Sequence, residues 1–114
     1  CQKTTRLVAE KLKLKEDQYI TTFQSRFGRA EWLKPYTSET MEELPSLGVK
    51  NILVIAPAFS VDCSETIEEI DEENKEIFLK AGGNDFEYVP CLNDSEGHIE
   101  CFNKIIEKHI ETLE

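Results

Sequence analysis

The 114-residue sequence has no apolar stretch near the ~20 residues that a helix needs to cross a bilayer, and no signal-peptide pattern. Positive charge is scarce. Thirteen Lys plus Arg stand against 23 Asp plus Glu, a formal net charge of −10, so no nucleic-acid partner is expected. Neither a GxGxxG nor a GxxxxGK[ST] phosphate loop occurs, and a bound nucleotide is not indicated. The four cysteines, at positions 1, 63, 91 and 101, form no CxxC pair and match no zinc or iron–sulfur spacing. Reduced thiols are the expectation, because a disulfide framework would require a secreted domain, which nothing else suggests. The single methionine is Met41, and the chain begins directly in helical sequence. It therefore reads as a piece of a longer polypeptide; a lipoprotein's N-terminal cysteine would be followed by a flexible tether.

What is present is an alternation of helix and strand signals. Leu7, Val8, Ala9 and Leu12 recur at helical spacing within residues 2–14. Tyr19–Gln24 is β-branched and aromatic and reads as a strand. Residues 25–37 read as a loop rich in large side chains: Arg26, Phe27, Arg29, Trp32 and Tyr36. That mixture suits a flat, anionic, aromatic ligand, although Trp32 and Tyr36 would equally serve to cover a core edge. Thr37 or Ser38 can cap the next helix, which Pro45 ends or kinks before Gly48. A second strand lies at 52–55, a third at Phe86–Val89, and a last helix, capped by Asp94 or Ser95, places Ile99, Phe102, Ile105, Ile106 and Ile110 on one side. Strands alternating with helices predict an α/β domain with a parallel sheet and helices on both faces.

The organising stretch is Asn51–Glu73. A short apolar run, Ile52–Ile55, breaks at Pro57, turns through 58–63 and launches a helix with carboxylates at Glu65, Glu69 and Glu73. Open α/β sheets place ligands at such strand-to-helix junctions. Glu at every fourth position is the pattern a divalent-cation relay or an acid/base pair needs, and it is equally the pattern of a solvated acidic face. At about 100° per residue, Ile67, Ile70, Ile77, Phe78 and Ala81 form the side expected to face the core. A row four apart drifts by about 40° per step in a straight α-helix; a π-type widening would straighten it, and such bulges are frequent at functional sites.

Taken together, TTFQSRFGRAEWLKPYT (21–37), PAFSVDCSETIEEIDEENKEIF (57–78), AGG (81–83) and YVPCLN (88–93) closely resemble the C-terminal half of ferrochelatases, especially those of Gram-negative bacteria, in order and spacing over nearly the whole chain. The resemblance implies a Rossmann-like, chelatase-type three-layer sandwich, residues 1–114 being one of two similar halves with the N-terminal half absent. It implies insertion of ferrous iron into protoporphyrin IX, with iron as substrate, no tightly bound cofactor and no iron–sulfur cluster. The catalytic Glu of the D-x-x-E-T motif falls on Glu65, with Asp62 and Thr66 also matching. The acidic metal or proton path along a π-helix falls on Glu69 and Glu73, so Glu65, Glu69 and Glu73 are the metal-site candidates. Porphyrin contacts fall on Trp32 and Phe59, and Gln24, Ser25 and Arg26 match the loop bordering the macrocycle; Asp62 joins this substrate-binding group. Cys63 stands where animal enzymes carry His and is not assigned as a ligand. The family's metal-site His belongs to the first half, so neither His98 nor His109 fills that role. A cytoplasmic location follows from the same resemblance, which leaves peripheral inner-membrane association of the parent open.

Metalation removes two pyrrole N–H protons, so it needs a base beside the ring centre and a path to solvent. Clustered carboxylates raise one another's proton affinity, and hard oxygen ligands hold a divalent metal weakly enough to release it. Two rivals remain. A non-catalytic acidic α/β module binding a metal or protein needs only the carboxylate face, and has no use for Trp32 and Phe59 beside it. A cobalt chelatase shares the fold but usually presents paired histidines. Half of a two-domain site cannot enclose a porphyrin, so the isolated chain is expected to be inactive.

Overall fold

The computed structural model describes residues 1–25 and 28–113. The expected sites Arg26 and Phe27 lie outside the described residues. Helix α1 spans Gln2–Lys11, a 3-10 turn Glu16–Gln18, helix α2 Thr37–Glu43 and a second 3-10 turn Leu44–Leu47. Strand β1 is Asn51–Val54, and a broken helix follows as α3, Ser64–Ile67, a π-helical segment, Glu69–Asn74, and α4, Lys75–Lys80. Strand β2 is Asp85–Tyr88 and helix α5 is Glu96–Leu113.

β1 and β2 pair in parallel, Ile52 opposite Phe86 and Val54 opposite Tyr88. The connection between them is the broken helix, as a parallel pair requires. Inward-facing Ile52, Val54 and Tyr88 pack with Met41 of α2, Ile70, Phe78 and Phe86. The Phe78 and Phe86 rings lie 6.0 Å apart and tilted by 53°, a favourable aromatic geometry. The chain is thus α/β with a parallel sheet, consistent with a Rossmann-like half.

Four local expectations are corrected. Tyr19–Gln24 forms no strand; only Phe23 is bridged, in parallel, to Tyr36. Phe23 donates to the Pro35 carbonyl and accepts from the Thr37 N–H, and the ladder cannot extend because Thr37 begins α2. Its β-branched neighbours use their hydroxyls instead, Thr21 donating to Thr5 and receiving no strand partner, Thr22 accepting from Thr37. Neither Thr37 nor Ser38 caps α2; Tyr36 occupies the capping position, and its side chain makes no capping hydrogen bond to the helix. Ile67, expected on the core side, is 49% exposed. Finally, the apolar side of α5 (Ile99, Phe102, Ile105, Ile106 and Ile110) is exposed rather than packed on the sheet. Pro45 and Gly48 behave as read: α2 tightens into the 3-10 turn at Pro45, and Gly48 ends it at φ +90°. Among the described residues, no helix is long and apolar enough to cross a membrane.

Candidate functional site

The start of α3 is set by a threonine. The Thr66 hydroxyl accepts the Cys63 N–H at 3.0 Å, satisfying a donor that the first helical turn leaves without a partner. One turn later the bonding changes step. The Glu73 N–H donates to the Glu68 carbonyl at 2.9 Å, five residues back, and the Asn74 side-chain Nδ2 donates to the Glu69 carbonyl at 2.7 Å. This is the widening expected from the four-residue row, and it begins at Glu69. Its consequence is a second straight row one residue on: Thr66 and Phe78 are 0% exposed, Ile70 2% and Asn74 3%. The wider turn brings Asn74 into the core line and leaves Ile67 outside it.

Glu65, Glu68, Glu69 and Glu73 therefore share one cleft with Ser25 and Ser64, of about 340 Å³. Glu65 stands in the first turn of α3, half-buried. Hydrogen bonds from the Cys63 side chain, its own backbone N–H and the Ser64 hydroxyl hold its carboxyl below the usual carboxylate range. This runs opposite to the raised proton affinity expected of clustered carboxylates, because donors on Glu65 stabilise its charged form.

Glu69 is held differently. The Ser25 backbone N–H donates to Oε1 at 2.7 Å and the Ser25 hydroxyl to Oε2 at 2.6 Å. The Gln24 amide reaches the Glu65 carbonyl at 2.7 Å. Gln24 and Ser25, expected to border a ligand, bind the acidic helix and fasten the loop to it. Ser25 does so from a left-handed backbone conformation, φ +60°, uncommon for a residue other than glycine.

Trp32 lines a separate, open and mainly apolar hollow of about 650 Å³ with Phe23, Ala30, Glu31 and Leu33. Phe59 sits half-buried in the turn after β1, its N–H bonded to the Ala56 carbonyl, and lines neither cavity. Asp62 also lines neither; its carboxylate turns toward the end of β2 and the loop beyond. Among the described residues, no three His, Cys, Asp or Glu side chains converge as a metal centre. Glu65, Glu69 and Glu73 form a line along the cleft rather than a cage. All four cysteines are free thiols.

Sequence reasoning passed over Tyr88, Cys91 and Asn93, which surround Asp62, and Asn74. The only sequence signal for Asn74 was its place in the row 66–70–74–78, where a polar residue interrupts buried positions.

The ferrochelatase family profile matches residues 1–110. A ferrochelatase of Marinobacter nauticus is 58% identical over 111 residues, covering 97% of this chain and 30% of that protein. One of Vibrio cholerae is 58% identical over 106 residues, 93% of this chain and 33% of that protein; one of Actinobacillus pleuropneumoniae is 58% identical over 110 residues, 96% and 34% respectively. The chain spans about a third of the length of these curated relatives. With a family match over nearly all its residues and a π-widened acidic helix at the strand-to-helix junction, the chain belongs to the ferrochelatase family.

Proposed function

We propose that this chain is the C-terminal part of a ferrochelatase that inserts ferrous iron into protoporphyrin IX, and that Glu65 accepts pyrrole protons. The observation that carries the reading is the cleft itself. Glu65, Glu69 and Glu73 line one cleft as a carboxylate row, and Trp32 lines a second, mainly apolar hollow. A general base must be unprotonated and close to the proton it removes, and the donors around Glu65 keep it so. Glu69 and Glu73 lead from the base toward solvent: Glu69 is half-buried and Glu73 exposed. That order suits protons leaving or a hydrated cation arriving, with iron as substrate rather than resident cofactor. Trp32 supplies a flat apolar face for the macrocycle, and contacts by Phe59 and Arg26 rest on the family motif alone in this reading. The N-terminal half of the same polypeptide closes the pocket, so the 114 residues alone turn over no porphyrin. The location proposed is the cytoplasm, and no iron–sulfur cluster is required.

The test begins with protoporphyrin titrated into the chain while the fluorescence of Trp32, its single tryptophan, is followed. Saturable quenching, weakened by Phe59→Ala, is expected. In the full-length polypeptide, Glu65→Gln should lower iron insertion by roughly a hundredfold or more, the low end of general-base contributions being about that size. A Glu65→Gln enzyme with most of its activity would overturn the assignment of the base. Absence of quenching in both chain and full-length polypeptide would favour the acidic module that binds only metal or protein.

A further inference from the structure

Asp62 precedes α3 and accepts four hydrogen bonds. Its Oδ1 receives the Thr66 hydroxyl at 2.9 Å and the Tyr88 phenol at 2.7 Å. Its Oδ2 receives the Cys91 N–H at 3.2 Å and the Asn93 amide at 2.8 Å. The Asp62 backbone N–H in turn donates to the Asn93 Oδ1 at 2.8 Å. Asn93 itself is held at φ +49°, its N–H on the Ser60 carbonyl and its amide also on the Cys91 carbonyl. One carboxylate therefore joins three pieces of chain: the first turn of α3, the end of β2 and the loop into α5. Each carboxylate oxygen accepts two hydrogen bonds, and Asp62 lines neither the acidic cleft nor the Trp32 hollow.

We propose that Asp62 is a positioning residue, neither a substrate contact nor a proton carrier, which fixes Glu65 by clamping the first turn of α3 to the end of β2. The clamp acts through Thr66, whose hydroxyl also satisfies the Cys63 N–H and whose main chain follows Glu65 directly. Its functional consequence rests on the proposed role of Glu65; the clamp itself does not. The same donors, Asn93 first and Tyr88 second, hold the Asp62 carboxyl far below the usual carboxylate range, which suits a fixed anion and not a group that picks up protons in turnover.

Two substitutions separate the roles. In Asp62→Asn the new carbonyl can still receive Cys91 and Asn93, while the new NH2 points at two hydroxyls that can accept as well as donate. The Tyr88 O–H can then donate its hydrogen bond to Cys91 Sγ, 3.3 Å away. In Asp62→Ala all four donors lose their acceptor. In the full-length polypeptide, Asp62→Asn should keep kcat within about fivefold of wild type with an unchanged pH profile, whereas Asp62→Ala should lose on the order of 100-fold in kcat, the scale of a misplaced catalytic group. Tyr88→Phe, which leaves the carboxylate in place, should lower kcat by about two- to tenfold, the scale of one lost hydrogen bond. Asp62→Asn as inactive as Asp62→Ala would make Asp62 a proton carrier and overturn the proposal. Amide hydrogen exchange in the 114-residue chain gives a readout independent of activity. Protection at residues 66–68 should survive Asp62→Asn, fall by about two- to tenfold in Tyr88→Phe and fall at least tenfold in Asp62→Ala. Unchanged protection in Asp62→Ala would also overturn the clamp, even if the full-length polypeptide inserted no iron.

Discussion

Replacing Ser25 by Ala removes the shorter of the two hydrogen bonds that hold Glu69, hydroxyl to Oε2 at 2.6 Å, and leaves the backbone N–H to Oε1 at 2.7 Å. A hydrogen bond to a charged acceptor is worth about 1.5–3 kcal/mol, and both residues are only half-buried, so the loss should fall at about 1–1.5 kcal/mol. Glu69→Ala removes both acceptors and leaves a half-buried N–H without a partner, for about 2–3 kcal/mol. Glu69→Gln keeps an oxygen for the N–H and offers its NH2 to the Ser25 oxygen; neutral bonds are about half as strong, so it should be the mildest of the three. Because Ser25→Ala and Glu69→Ala remove a shared interaction, the double variant should cost about 1 kcal/mol less than their sum. The assay is urea unfolding followed by Trp32 fluorescence and by helical circular dichroism. With a urea slope of about 1–3 kcal/mol/M, Ser25→Ala should move the midpoint down by roughly 0.3–1.5 M. An unmoved midpoint, or strict additivity of the two alanine variants, would refute the reasoning that this contact fastens the aromatic loop to the acidic helix.

Phe78, fully buried against Phe86, should cost about 3–5 kcal/mol when cut to Ala, read as a lowered thermal midpoint. A Cβ at Gly83 would stand 2.2 Å from the Phe78 ring, so Gly83→Ala should cost about 1–3 kcal/mol by overpacking. Combined with Phe78→Ala it should recover part of that loss, because the methyl enters vacated space. The pH dependence of stability follows from the Asp62 network. The Asp62 carboxyl is held well below its ordinary range, so its contribution is complete above the unfolded carboxylate pKa and is lost as pH falls below that value toward the folded one. Burial pushes the Tyr88 phenol upward, so its contribution is complete below the unfolded phenol pKa and is lost in strong alkali. Melting at pH 7 and pH 3 should show a fall that Asp62→Asn diminishes; an equal fall in that variant would contradict the assignment.

The periodicity of the chain was enough for β1, for the stop at Gly48 and for the acidic row. Each depends on neighbours within about four residues, where side-chain direction follows from helix or strand geometry. The π segment was legible for the same reason: Glu65, Glu69 and Glu73 stay in line only if the turn widens. The family motifs were equally local strings, and the match over residues 1–110 follows from them.

What the sequence could not carry was decided by contacts between distant segments. Ser25 and Glu69 are 44 positions apart, Asp62 and Asn93 are 31 apart, and no local pattern pairs them. Tyr19–Gln24 has strand composition, but a strand needs a neighbouring ladder, and Thr37 turns into α2 after a single bridge. Asn74 looks like a surface residue until the widened turn rotates it into the row of Ile70 and Phe78. The sequence by itself determined which carboxylates lie along one helix and which family's motifs they form. Only the tertiary structure decided that Glu69 is tied to the loop and that Asp62 is bonded to the end of β2 and the loop beyond it. The physical reason is that a carboxylate's surroundings follow from the donors that reach it: those on Glu65 are local, whereas those on Glu69 and most of those on Asp62 come from chain remote in sequence.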